Sequence, residues 1–76
     1  MSLNEFTKEN MELLIKKRKS FNIAPSKAGS FIGVSAMDYN DIEHGKKEIT
    51  PEQYQKLLKG IEEIESEMTM QRKVIY

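Results

Sequence analysis

Residues 25 to 45 read PSKAGSFIGVSAMDYNDIEHG, and the fold of the chain turns on how that stretch divides. Pro25 suits the first position of a helix, because its missing N–H has no intrahelical partner there in any case. Ala28 and Ile32 lie one turn apart on this short helix. Gly33 then stops it in a left-handed conformation that a side chain would penalise. Ser35 with Asp38 three residues later has the spacing of a capping box, Asp standing for the usual Glu or Gln. Tyr39 and Ile42 give the helix that follows an inward face, and Gly45 ends it.

Upstream, Met11, Leu14 and Ile15 recur at helical spacing, with Arg18 one turn further on. The Thr7 hydroxyl can accept from the amide of Asn10, and Phe6 with Met11 matches a hydrophobic staple, so a first helix is expected from about Thr7 to Ser20. Downstream, Thr50-Pro51-Glu52-Gln53 is the clearest helix start in the chain: cap, Pro at the first position, Gln at the third. Tyr54, Leu57, Leu58 and Ile61 supply a buried stripe that Ile64 and Met68 continue. Gly60 costs a helix about 1 kcal/mol relative to Ala. Two readings stay open there: one long helix to about Met70, or a break at Gly60. Lys73-Val74-Ile75-Tyr76 is β-prone and too short to stand alone. The expectation is an all-α chain of four to five short helices. It forms a single domain over 1–76, with a core at about 7–61 and a C-terminal extension over 62–76.

A chain of 76 residues without cysteine has neither disulfides nor thiolate-bound metal to hold it. Apolar faces must do that, within the chain or across a dimer. No apolar run approaches the length of a membrane span, and a cytoplasmic protein is expected. Twelve basic and twelve acidic residues cancel, but they are not mixed evenly. Lys16, Lys17, Arg18 and Lys19 form one basic cluster and Lys46 with Lys47 another, whereas Glu62, Glu63, Glu65 and Glu67 make the later part acidic. A neutral protein binds DNA if its cations lie on one face. Nothing sets a nucleophile, a base and an oxyanion donor together, so no enzyme is expected, and no cofactor. One histidine, His44, and no cysteine build no ordinary zinc site; no metal is expected.

A short helix, a turn containing Gly and a second helix make a helix-turn-helix, here from Pro25 to His44. The two helices must cross closely, which demands a very small residue at the crossing. Gly29, four residues before Gly33, meets that need, with Ala28, Ile32, Val34, Tyr39 and Ile42 as the apolar set between the helices. These residues resemble the Cro/CI-like (XRE) helix-turn-helix family of phage and bacterial repressors. The resemblance runs without a gap from about Leu14 to Ile61. It rests on Arg18, on Ala28 and Gly29, on Gly33-Val34-Ser35, on Tyr39 and Ile42, and on Glu43 two residues before Gly45.

The resemblance implies a lambda-repressor-like fold in which Arg18 and Glu43 pair inside the domain. It implies sequence-specific binding of double-stranded DNA by a small dimeric transcriptional regulator, most simply a repressor. The third helix would enter the major groove, with half-sites about 34–36 Å apart in the homodimer. Ser35, Ala36, Met37, Asn40, Asp41 and His44 would face the DNA, and Lys46 and Lys47 the phosphates.

The departures from the family are concentrated at the DNA face. Ala24 and Pro25 stand where the family has a Ser or Thr cap followed by a phosphate-holding Gln, so that contact is lost. Asp38 reads as a helix-start acid, favoured by the dipole. Asp41 reads as a solvated acid or as an acceptor for a cytosine amino group, and Asn40 is suited to adenine. Met37 and Ala36 either touch a thymine methyl or merely favour helix. Lys16 to Lys19 and the glutamates from Glu62 to Glu67 read as solvated faces, Arg18 excepted. Ile64 and Met68, beyond the small core, are expected to meet a second subunit. The alternative is a helix-turn-helix used as a protein-binding module through its acidic third helix and Met37: an antirepressor, an antitoxin-like partner or an accessory factor. Few cations at the interface imply modest DNA affinity and a shallow salt dependence.

Overall fold

The computed structural model describes residues 3–74 of the chain, and side chains as far as residue 68. The described residues form four helices and no strand: α1 (Lys8–Ser20), α2 (Pro25–Phe31), α3 (Ala36–Glu43) and α4 (Pro51–Val74). Three of the four begin at a side-chain cap. Thr7 Oγ1 accepts from the Asn10 amide at 3.0 Å, and Ser35 Oγ accepts from the Asp38 amide at 3.1 Å. At α4 the capping box is reciprocal: Thr50 Oγ1 accepts from the Gln53 amide and Gln53 Oε1 from the Thr50 amide, both at 3.1 Å. Before α2, Ala24 provides no such bond, and Pro25 at the first position has no amide to satisfy.

The first three helices end alike. A residue with positive φ follows each, namely Asn22 (57°), Gly33 (74°) and Gly45 (77°). The next amide reaches back to a carbonyl of the last turn: Ile23 to Arg18 at 3.1 Å, Val34 to Gly29 at 3.0 Å, Lys46 to Asp41 at 2.8 Å. This is the Schellman pattern, which satisfies carbonyls that the helix leaves without a partner. The two glycines announce it in the sequence. Asn22 announces it less clearly, being the kind of non-glycine residue that visits the left-handed region at small cost.

Leu14, Ala28, Tyr39, Tyr54, Leu57 and Ile61 are fully enclosed, joined by Ile23, Ile32, Ile49 and Leu58. Burying a side chain of that size stabilises by about 1.5–3 kcal/mol, which is how a small chain without disulfides holds together. The core reaches past both ends of the expected 7–61, because Leu3 and Ile64 also pack against it. The reason lies in α1, which runs beside α4 in the same direction. Tyr54 near the start of α4 stacks on Phe6, ring centroids 5.0 Å apart, and donates its hydroxyl to the Leu3 carbonyl at 2.7 Å. Further along, Lys17 Nζ meets Glu65 Oε1 at 3.0 Å. Ile64, expected at a second subunit, is partly buried against this chain's own core, and Met68 is 40% exposed.

α4 passes Gly60 without a break. A Cβ on Gly60 would lie 2.6 Å from Cγ and Cδ2 of Phe31, so the absent side chain is the seat of that ring. The packing of Phe31 outweighs the glycine's helix cost of about 1 kcal/mol. Lys73 and Val74 are helical rather than extended, carrying α4 past the expected end near Met70, and Ile75 and Tyr76 lie outside the described residues. A helix of 24 residues spans about 36 Å, and it sets the 44 Å long dimension of the molecule. Among the described residues no helix is long and apolar enough to cross a membrane.

Candidate nucleic-acid interface

α2 and α3 approach so closely at Gly29 that a Cβ there would lie 2.8 Å from the Val34 carbonyl oxygen and 3.1 Å from that of Ser35. These are backbone atoms of the turn, so they cannot swing aside. The crossing fixes which side of α3 looks inward: Tyr39 is fully buried, and Ile42 packs against the core. Met37, Asn40, Asp41 and His44, spaced three and four apart, must then form the opposite stripe. Ser35, Ala36, Met37, Asn40 and His44 are exposed, Asp41 is partly exposed, and Lys46 and Lys47 are exposed just beyond the helix. Of the eight residues expected to face DNA, seven are exposed and Asp41 is partly so.

Behind this surface lies the Arg18–Glu43 pair. Arg18 Nε donates to Glu43 Oε2 at 2.6 Å and Nη2 to Oε1 at 3.0 Å, while Nη1 donates to the Ile23 carbonyl at 2.7 Å. Both side chains are less than a tenth exposed. A two-pronged contact between a planar guanidinium and a carboxylate fixes orientation as well as distance. It ties the end of α1 to the end of α3, and thereby sets the angle at which α3 presents its outer stripe. Burial opposes the arginine's charge, but the bonded Glu43 carboxylate prevails and holds its pKa above the ordinary value. The guanidinium carbon also sits 5.8 Å from the centre of the Tyr39 ring, within cation–π range. The Tyr39 hydroxyl is buried with no hydrogen-bond partner. Burial first, and the Glu43 carboxylate second, push its pKa well above the usual phenol range.

On the outer side the charges are arranged differently. Lys47 Nζ donates to Asp38 Oδ1 at 2.6 Å, with the side chains 52% and 42% exposed. Asp38, expected as a plain helix-start acid, has its amide held by Ser35 and its carboxylate turned to this lysine. Bonding to Asp38 raises the Lys47 pKa, and the charge of Asp41 adds to the shift. The amides of Lys46 and Lys47 both point to the Asp41 carbonyl, at 2.8 and 3.3 Å, which folds the loop back along the end of α3. Capping its own helix, His44 has Nδ1 2.8 Å from the Asn40 carbonyl oxygen; that oxygen can only accept, so Nδ1 carries the proton in this contact. Lys27 in the first turn of α2 was not singled out by sequence; its ammonium lies 5.8 Å from the centre of the Phe31 ring. Lys27 and Phe31 stand at the i,i+4 spacing of one helix, which sequence could have flagged, whereas Asp38 and Lys47 share no such spacing.

The surface can therefore offer a base edge an amide that both donates and accepts (Asn40), an acceptor (Asp41) and two apolar contacts (Ala36, Met37). Its cations are few and one is already engaged by a carboxylate. Compared with protein-family models, curated proteins and solved structures, the chain matches none. Any functional reading rests on these residues themselves.

Proposed function

We propose that the chain is a sequence-specific double-stranded DNA-binding regulator of the Cro/CI-like kind, acting as a homodimer and most simply as a repressor. One observation carries the reading. The Gly29 crossing buries Tyr39 and leaves Met37, Asn40, Asp41 and His44 as an exposed stripe on a capped helix that a turn holds at a fixed angle. An α-helix fits the major groove, where Asn pairs with adenine, Asp accepts from cytosine, and apolar side chains meet the thymine methyl. Lys46 and Lys47, with the amides at the start of α3, supply phosphate contacts that position without specifying. Among the described side chains of α4, Met68 is exposed and apolar and would be available to a second subunit. The proposal assigns the chain no catalysis and no cofactor. Recovery of random duplex DNA with the purified protein, at about 50 mM and about 200 mM salt, tests it. An enriched palindromic motif is expected; no enrichment at either salt, from protein shown to be folded, sinks the reading.

A second reading, a protein-binding module, is favoured by Met37, which is 77% exposed in a stripe that also bears Asp41. An exposed methionine adapts readily to a partner surface. The two readings part at the lysines. Reversing charge with Lys46→Glu and Lys47→Glu weakens DNA binding on the first reading, whereas a protein partner would respond to Asp38, Asp41 and Met37.

A further inference from the structure

Resting on the DNA-binding reading, we infer that Asp38 is an internal competitor for the DNA phosphate: its carboxylate holds the Lys47 ammonium in the free protein, and binding exchanges that carboxylate for a phosphate oxygen. Lys47 lies nine residues from Asp38, yet its ammonium is folded back to the first turn of α3, 2.6 Å from Oδ1. The loop is held in place for this by the Lys46 and Lys47 amides on the Asp41 carbonyl. The helix start does not need the Asp38 carboxylate, because Ser35 Oγ already holds the Asp38 amide. An acidic residue in the first turn suits the helix dipole, but on a DNA-facing helix it also repels phosphates. Here it occupies the ammonium of Lys47, in the loop that follows the helix.

The consequence is a lower affinity overall. Any duplex must break the same internal pair to gain the Lys47 contact, which lowers affinity for every sequence alike. A site whose bases also satisfy Asn40 and Asp41 still binds, whereas a random site, held by phosphate contacts alone, falls towards no binding. Specificity is a difference of affinities, so the ratio between sites is left unchanged and only the absolute occupancy of random sites falls. Exposed ion pairs hold weakly, so the exchange is easily reversible and the expected effect is modest.

The experiment compares Asp38→Asn with Asp41→Asn, which removes the same charge from the same helix without removing the Lys47 partner. The probe is a fixed random-sequence duplex at about 50 mM salt, read by fluorescence anisotropy. Asp38→Asn is expected to bind about two- to fivefold more tightly than Asp41→Asn, the range that an exposed ion pair supplies. In a Lys47→Met background the difference between the two should vanish. Equal affinities of the two variants, or a difference that persists without Lys47, would overturn the inference. If the wild type binds duplex DNA but Asp38→Asn gains nothing over Asp41→Asn, the competitor fails and the DNA-binding reading stands. If neither wild type nor any variant binds, while all melt as folded proteins, the reading itself has failed and the inference falls with it.

Discussion

α3 carries an ion pair on each side, and the shortest contact in each is the same 2.6 Å. Glu43 faces inward to Arg18 among side chains that exclude water, whereas Asp38 faces outward to Lys47 in solvent. Distance alone would rank them equal. What differs is what remains when one partner leaves. A guanidinium without Glu43 is a charge buried beside an apolar ring, while Lys47 without Asp38 is simply hydrated. The inner pair is therefore a lock on the orientation of α3, and the outer pair is free to exchange its partner. Small distances tell little about an ion pair until the water around it is counted.

The largest effect expected on stability comes from breaking the inner pair. Glu43→Ala should cost about 3 kcal/mol or more, against a total of about 4–11 kcal/mol for a chain of this length. Urea denaturation would show it as a large drop in midpoint, and a loss below about 1 kcal/mol would remove the distinction between the two pairs. Gly29→Ala comes next, at about 2 kcal/mol, because the new methyl meets turn carbonyls that can move only by opening the α2–α3 crossing. Gly60→Ala is smaller. The gain of about 1 kcal/mol in helix propensity is offset by displacement of the Phe31 ring, for a net loss of about 1 kcal/mol. A net gain in melting temperature would mean the ring yields without cost.

Alkaline titration sharpens the same contrast. The folded state raises the pKa of Tyr39, through burial first and then Glu43, and that of Tyr54, through burial first and then the charge of Glu62. A phenol whose folded pKa exceeds its unfolded value contributes stability that is fully present below about pH 10 and is lost as pH rises through the folded pKa. Denaturation midpoints should therefore fall above about pH 10, and less steeply in Tyr39→Phe. An unchanged slope in that variant would mean that neither burial nor Glu43 raises the pKa of the Tyr39 phenol. The smallest effect belongs to the outer pair. Asp38→Ala should lower the melting temperature by only a few degrees, since Ser35 keeps the helix capped and Lys47 becomes solvated, leaving the loss of a dipole contact and an exposed pair.

Most of the helix frame was legible in the sequence because its signals act over a few residues. Thr7, Ser35 and the Thr50–Gln53 box mark starts, Pro25 marks another, and Gly33 and Gly45 mark ends. Each works by satisfying a backbone group within its own turn, so no distant contact is needed to read it. Asn22 was harder, because an asparagine in that place is as compatible with an ordinary loop as with a left-handed cap. Among the candidate interface residues, burial at Tyr39 and exposure at Asn40 and His44 follow from helical periodicity once Gly29 is seen as a crossing. The engagement of Lys47 by Asp38 does not follow, because two exposed charges nine residues apart carry no pattern.

The sequence by itself determined that the chain is helical, where its helices begin, and which side of the third one is apolar. Short-range hydrogen bonding and the 3.6-residue period are enough for that. Tertiary structure alone decided the rest. Gly60 lies within one continuous α4 because Phe31, from another helix, fills the space a side chain would have taken. Ile64 packs partly against this chain's own core because α1 runs beside α4 in the same direction. Asp38 faces Lys47 because the loop after α3 folds back on the Asp41 carbonyl. In each case the deciding neighbour lies outside the helix in question, and only packing brings it there.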